Sequence, residues 1–373
     1  MPEILNTDEM TKLVTLVEEA ARSTEEGVKH FVEPAPGTLR RAISKRHHIV
    51  FGRRGSGKSS LLRKAAADLT IDRRPIAYVN LEAFKGHSYP DVLLSVLITA
   101  FQELKKWMDS AAVYPSTRTS FWNRLFGTAP KRPSYNRKET GELSNSLSTQ
   151  IESLTRELHR TDEADLRVVS GSEASERDST DLKAKAGALG GSVEAGVHAE
   201  ATQKQTEEIE ETYKRSKIDF LHRHIIEYQD LFRRLGQLSG GDAYLFLDDF
   251  YHIRRVDQPK VVDYFHRIAK DHNFWLKIGT IRHRTRWYLH GDPPTGMKLG
   301  DDADEIDLDL TLEKYSLAKD FLVRILTNFA STANAPSLSS FLTDGAIDRG
   351  ALGSGLQCCD LGATLTLHFT HSA

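Results

Sequence analysis

The chain has 373 residues, 39% hydrophobic and 27% charged, with a formal net charge of −2. That length predicts two or three folding units, and the near-neutral balance excludes a general polyanion binder while leaving room for local basic patches. Two cysteines, Cys358 and Cys359, stand side by side, which excludes a disulfide framework and indicates a reducing compartment. No apolar run reaches the ~18–20 residues of a membrane helix, and MPEILNTDEM has no signal-peptide pattern. The expectation is a cytoplasmic protein with no membrane association.

Residues 8–30 carry apolar side chains at helical spacing and predict an N-terminal helix. EPAPG, 33–37, ends it. TLRRAISKRH reads as a short basic helix and HHIVF as a strand. A glycine-rich loop follows, then a helix from about Ser59 to Leu69. RPIAYVNLEAF, 74–84, reads as a strand, and Pro90 to Met108 as an amphipathic helix with proline near its first turn. From 109 to 215 the chain is rich in Ser, Thr, Glu, Lys and Arg and poor in large apolar groups. That composition predicts a polar insertion, partly helical and partly disordered. Its charged windows, 150–165 and 203–217, read as solvated helices or a short coiled coil. LKAKAGALGGSVEAGVHAEAT, 182–202, reads as a weak hairpin or unfolded chain.

Regular patterning resumes with a helix over 218–235. YLFLDDF, 244–250, is a strand that ends in two aspartates. A helix over 258–271, a strand FWLKIGTI over 274–281, an alternating EIDLDLTL at 305–312 and a helix over 316–330 complete the order. Strands alternating with helices predict an α/β fold, with a mainly parallel sheet covered on both faces.

Gly52-Arg53-Arg54-Gly55-Ser56-Gly57-Lys58-Ser59 fits G-x-x-x-x-G-K-[ST], the P-loop, in the strand–loop–helix setting that motif requires. Glycines allow a tight turn with amides facing a phosphate. Lys58 supplies a mobile positive charge, the Ser59 hydroxyl suits a Mg²⁺ ligand, and the following helix aims its positive end at the anion. The candidate phosphate-binding set is Gly52, Arg53, Arg54, Gly55, Ser56, Gly57, Lys58, Ser59 and Ser60. Asp248 is the candidate metal carboxylate, and Asp249 the candidate orienter or base for the attacking water. Thr280, at the end of the next strand, is a candidate γ-phosphate contact, and Arg282 a candidate transition-state cation. The guanine-reading N-K-x-D pattern is absent, which favours ATP.

With these pieces in order, the chain resembles the P-loop NTPases of the AAA+ and STAND groups over about 38–108 and 218–330. GRRGSGKS looks like Walker A and YLFLDDF like Walker B. The Asp-Asp pair is more like STAND signalling ATPases than the Asp-Glu of most AAA+ enzymes, and the strand ending GTIR looks like their sensor strand. The resemblance implies a slow Mg²⁺-dependent ATPase that works as a nucleotide-dependent switch or assembly protein. Its expected partners are ATP and ADP, together with a homo-oligomer or a protein partner. The domain division it implies is an N-terminal helix (1–37), a first NTPase half (38–108), the insertion (109–215), a second half (216–312), a helical lid (313–349) and an irregular tail (350–373) that reads as truncated. Origin-recognition-type ATPases are the nearest AAA+ comparison.

Two basic stretches, 39–48 and 282–288, support an alternative reading as a DNA-associated ATPase of loader or repair type. A nucleotide-bound scaffold without turnover is a third reading. The histidines at 47–48, 222–224 and 282–284 have no carboxylate or thiol partners at zinc-ligand spacing. His47 and His48 read as packing residues ahead of an adenine-pocket role.

Overall fold

A computed structural model describes residues 7–20, 29, 31–113, 135–160, 194–238, 242–309 and 315–353. At its centre five parallel strands form one sheet: β1 His48–Phe51, β2 Ile76–Asn80, β3 Ala243–Asp248, β4 Phe274–Thr280 and β5 Asp304–Asp307. Their spatial order is β2-β3-β4-β1-β5. Every parallel connection needs a crossover, and the crossovers cover both faces with helices. The helices are α1 Asp8–Ala20, α2 Thr38–Ala42, α3 Lys58–Ile71, α4 Asp91–Val113, α5 Arg137–Leu158, α6 Glu194–Leu238, α7 Gln258–Ala269, α8 Tyr315–Ala333, α9 Leu338–Phe341 and α10 Asp344–Gly353. Among the described residues, no helix is long and apolar enough to cross a membrane.

Alternation along the strands sorts side chains to the two faces. Val50, Tyr244, Phe246 and Ile306 pack on one face with Leu61, Leu62 and Ala65 of α3. Ile49, Phe51, Leu245, Leu247 and Ile278 pack on the other with α4, α5, α6 and α7. All six residues of β3 are buried, as expected of a strand covered on both sides. A smaller cluster joins Met10, Leu13 and Val17 of α1 to Phe321, Leu322 and Ile325 of α8.

Several boundaries differ from the sequence reading, each for a local reason. The basic helix stops at Ala42. Past it, Lys277 of β4 donates its ammonium to the carbonyls of Ser44 at 2.7 Å and Arg46 at 2.8 Å, which commits this stretch to capping. The strand read over 74–84 ends at Asn80, whose side chain accepts the Glu82 amide at 2.9 Å and starts a 3₁₀ turn over Leu81–Phe84.

The stretch read as a polar insertion holds packed helix. Leu143, Leu147 and Leu154 of α5 are fully buried against the main core. The helix α6 runs for 45 residues across the expected boundary at 215. Lys217 links the three helices here. Its ammonium, nearly buried, donates to Asp91 in the first turn of α4 at 2.8 Å and to the Leu158 carbonyl of α5 at 3.0 Å. Residues 161–193 of the insertion, and residues 354–373 with both cysteines, lie outside the described residues.

Candidate functional site

The C-terminal ends of β1, β3 and β4 lie side by side, the edge at which parallel sheets bind ligands. The chain leaves β1 at Phe51, and the Gly52 amide donates to the Thr280 carbonyl of β4 at 3.2 Å. The backbone then turns through Gly55 and Gly57, at φ 82° and 84°, a left-handed conformation that suits glycine. Lys58 opens α3 directly after this turn, so the N-terminal end of the helix borders the loop. Lys58 is only 5% exposed, and its ammonium donates to the Arg53 carbonyl at 2.7 Å, across the loop. The Asp309 carboxylate, beyond β5, accepts the Arg53 amide at 2.7 Å and ties down the front of the turn. Arg53 and Arg54 are exposed, and Ser59 and Ser60 half-buried. The Ser56 hydroxyl is buried with no hydrogen-bond partner, and a Cβ on Gly52 would fall 2.2 Å from it.

The strand β3 brings Asp248 to the same edge, 1% exposed. Asp248 leans across β4: a Cβ on Gly279 would lie 2.9 Å from its Oδ1 and 2.7 Å from Leu62 of α3. Glycine at 279 therefore lets the carboxylate approach the helix that begins with Lys58. Both oxygens of Asp248 accept hydrogen bonds, Oδ2 from the Tyr78 hydroxyl at 2.5 Å and Oδ1 from the Asp249 amide at 2.9 Å. Burial, then the Asp248 charge, push the Tyr78 hydroxyl far above the usual phenol range, so it stays a donor. Asp249 takes a left-handed conformation, φ 55°, and is half-buried. Burial, then the neighbouring Asp248, raise its carboxyl above the usual range, while Lys58 and His252 act in the opposite sense.

Lys58, Asp248 and Asp249 thus meet at one edge. Thr280 and Arg282 lie close by but are engaged within the chain. The Thr280 hydroxyl is fully buried and shares a hydrogen bond with the Thr285 hydroxyl at 2.5 Å. Arg282 forms a two-pronged ion pair with Glu305 of β5 and reaches Asp307 at 3.4 Å, its guanidinium 4.1 Å over the Phe51 ring.

The basic stretch 39–48 lies at the opposite end of the sheet. Lys45 pairs with Asp242 at 2.7 Å, Arg46 with Asp304 at 2.7 Å, and Arg41 donates to the Glu305 carbonyl at 2.6 Å. His47 accepts the Leu276 amide at Nδ1 and touches the rings of His266 and Trp275, so it is a packing residue. His48 meets the Lys277 ammonium at 2.9 Å. In the second basic stretch His283, Arg284 and Arg286 are exposed.

Sequence reasoning missed Tyr78, Gly279 and Asp309. Each acts through a contact between segments distant in sequence, and no local spacing marks them. Compared with known proteins, the chain matches no family model, no curated protein and no solved structure.

Proposed function

We propose that the chain is a P-loop ATPase domain that binds ATP with Mg²⁺, hydrolyses it slowly and acts as a nucleotide-dependent switch or assembly protein. One observation carries this reading: Asp248 reaches over Gly279 to the helix whose first residue is Lys58. A P-loop NTPase needs a lysine and a metal carboxylate at one edge although they come from separate strands. The order β2-β3-β4-β1-β5 supports it too, since β4 and its Thr280 lie between the loop strand and the carboxylate strand.

The residues present fit the group. The orphaned Ser56 hydroxyl and the left-handed Gly55 and Gly57, directly ahead of the N-terminus of α3, suit phosphate oxygens. Lys58, now bonded to a carbonyl, has an ammonium to offer the outer phosphates. Ser59 and Asp248 would hold Mg²⁺, which supplies positive charge to the phosphates. Asp249 orients or deprotonates water; its raised carboxyl favours proton acceptance. Sensing roles for Thr280 and Arg282 require release from Thr285 and from Glu305.

Calorimetry with ATP and Mg²⁺, paired with phosphate release, tests the reading. Lys58→Ala is expected to weaken ATP at least tenfold. Asp249→Asn is expected to keep ATP and release phosphate at least tenfold more slowly. Absence of heat with every nucleoside triphosphate would end the case. A rate that climbs on adding DNA would favour the DNA-associated alternative, whereas an ATP-dependent change in mass would favour assembly.

A further inference from the structure

The neighbouring strands β2 and β3 both run into 3₁₀ turns, Leu81–Phe84 and Phe250–His252, and the two turns pack together. Glu82 comes from the first turn, His252 from the second, and Asp249 precedes the second. Each offers one ligand atom, and these atoms all lie within 4.8 Å of one another. Both turns are held from behind. The Asn80 side chain fixes the Glu82 amide at 2.9 Å, and the His252 amide donates to the Asp249 carbonyl at 3.0 Å.

Two carboxylates and one imidazole at this spacing, with Glu82 exposed and the other two half-buried, make a three-ligand set open to solvent on one side. Neutral imidazole suits zinc-like dications, whereas Mg²⁺ prefers oxygen ligands and retained water. The negative charge of Asp248 beside Asp249 adds attraction for a cation. We propose that Glu82, Asp249 and His252 form a binding site for a divalent d-block cation of the zinc class, distinct from the position of a phosphate-bound Mg²⁺ at Ser59 and Asp248. A cation here occupies Asp249. If the ATPase reading holds, on which this second clause rests, the metal withdraws that carboxylate from water and slows phosphate release without displacing ATP.

The first arm uses the full chain without nucleotide. Zn²⁺ is titrated against a chromophoric chelator, and Co²⁺ is followed by its visible absorption. Cys358, Cys359 and the other histidines can also take zinc, so the readout is the difference between wild type and the variants Glu82→Gln and His252→Ala. The expected result is one additional equivalent in wild type, or an affinity at least tenfold higher. Equal stoichiometry and affinity in all three proteins would overturn the site. Glu82 is exposed, so Glu82→Gln serves if His252→Ala fails to fold. The second arm measures phosphate release with added Zn²⁺. Wild type is expected to slow at least fivefold with ATP still bound, while each variant is expected to keep, with zinc added, the rate it shows without zinc. Zinc binding without inhibition would overturn the regulatory clause. A chain that binds zinc but no ATP would overturn the ATPase reading and leave the metal site standing.

Discussion

Tyr78 sets the geometry of Asp248. A buried carboxylate needs hydrogen-bond donors, and this one has two, the Tyr78 hydroxyl and the Asp249 amide. Removing the phenol leaves one oxygen without its donor and frees the side chain to rotate away from Gly279. Tyr78→Phe is expected to lower unfolding free energy by about 1–3 kcal/mol in denaturant titrations. On the ATPase reading proposed above, it should also raise the Mg²⁺ concentration needed for half-maximal ATP affinity several-fold. An unchanged Mg²⁺ requirement would mean that Tyr78 merely packs. At this scale the sequence was partly legible. Lys58 and the two aspartates stand in contiguous motifs beside strands, so the sequence alone brings them to one edge of the sheet. Tyr78 and Gly279 stay silent because their importance arises only when β2, β3 and β4 lie side by side.

Among the elements, α5 and the first half of α6 were the hardest to foresee. α5 buries a narrow stripe, Leu143, Leu147 and Leu154, within an otherwise polar helix. Composition averages that stripe away, so the segment reads as solvated or disordered although one face is committed to the core. The strands were easier, because burial on both faces demands near-continuous apolar runs. Lys217 makes the helix cluster testable. Its ammonium joins the start of α4 to the end of α5, and Lys217→Ala leaves the Leu158 carbonyl without that donor. The expected loss is roughly 1–3 kcal/mol, read from the midpoint of urea unfolding. A midpoint within error of wild type would show that the linkage contributes nothing.

Across the whole molecule, histidines buried at the lower end of the sheet predict acid sensitivity. Burial, then the nearby His266, lower His47 from 6.5 to about 3; burial, then Lys277, lower His48 from 6.5 to about 3. Folded values below unfolded ones mean that the unfolded chain takes up more protons between pH 6.5 and pH 3. Stability is therefore intact above the unfolded value and declines as pH falls through that window. The cost is up to about 2 kcal/mol for each group at pH 5. Thermal midpoints at pH 7 and pH 5 check this, and the double variant His47→Gln, His48→Gln is expected to flatten the difference. An equal drop in wild type and double variant would assign acid sensitivity elsewhere.

The strand order carries a consequence for how the chain is born. β1 has β4 and β5 as its neighbours, and β2 has β3, so no early strand pairs with another early strand. As a ribosome emits the chain from its N-terminus, the glycine loop and its helix are released with β1 unmated on both edges. No rung of the sheet can form before the stretch starting at Ala243 emerges. The nascent first half therefore exposes two unpaired strands for the time needed to translate the stretch from 81 to 242, a window in which a chaperone or a neighbouring nascent chain could occupy their edges.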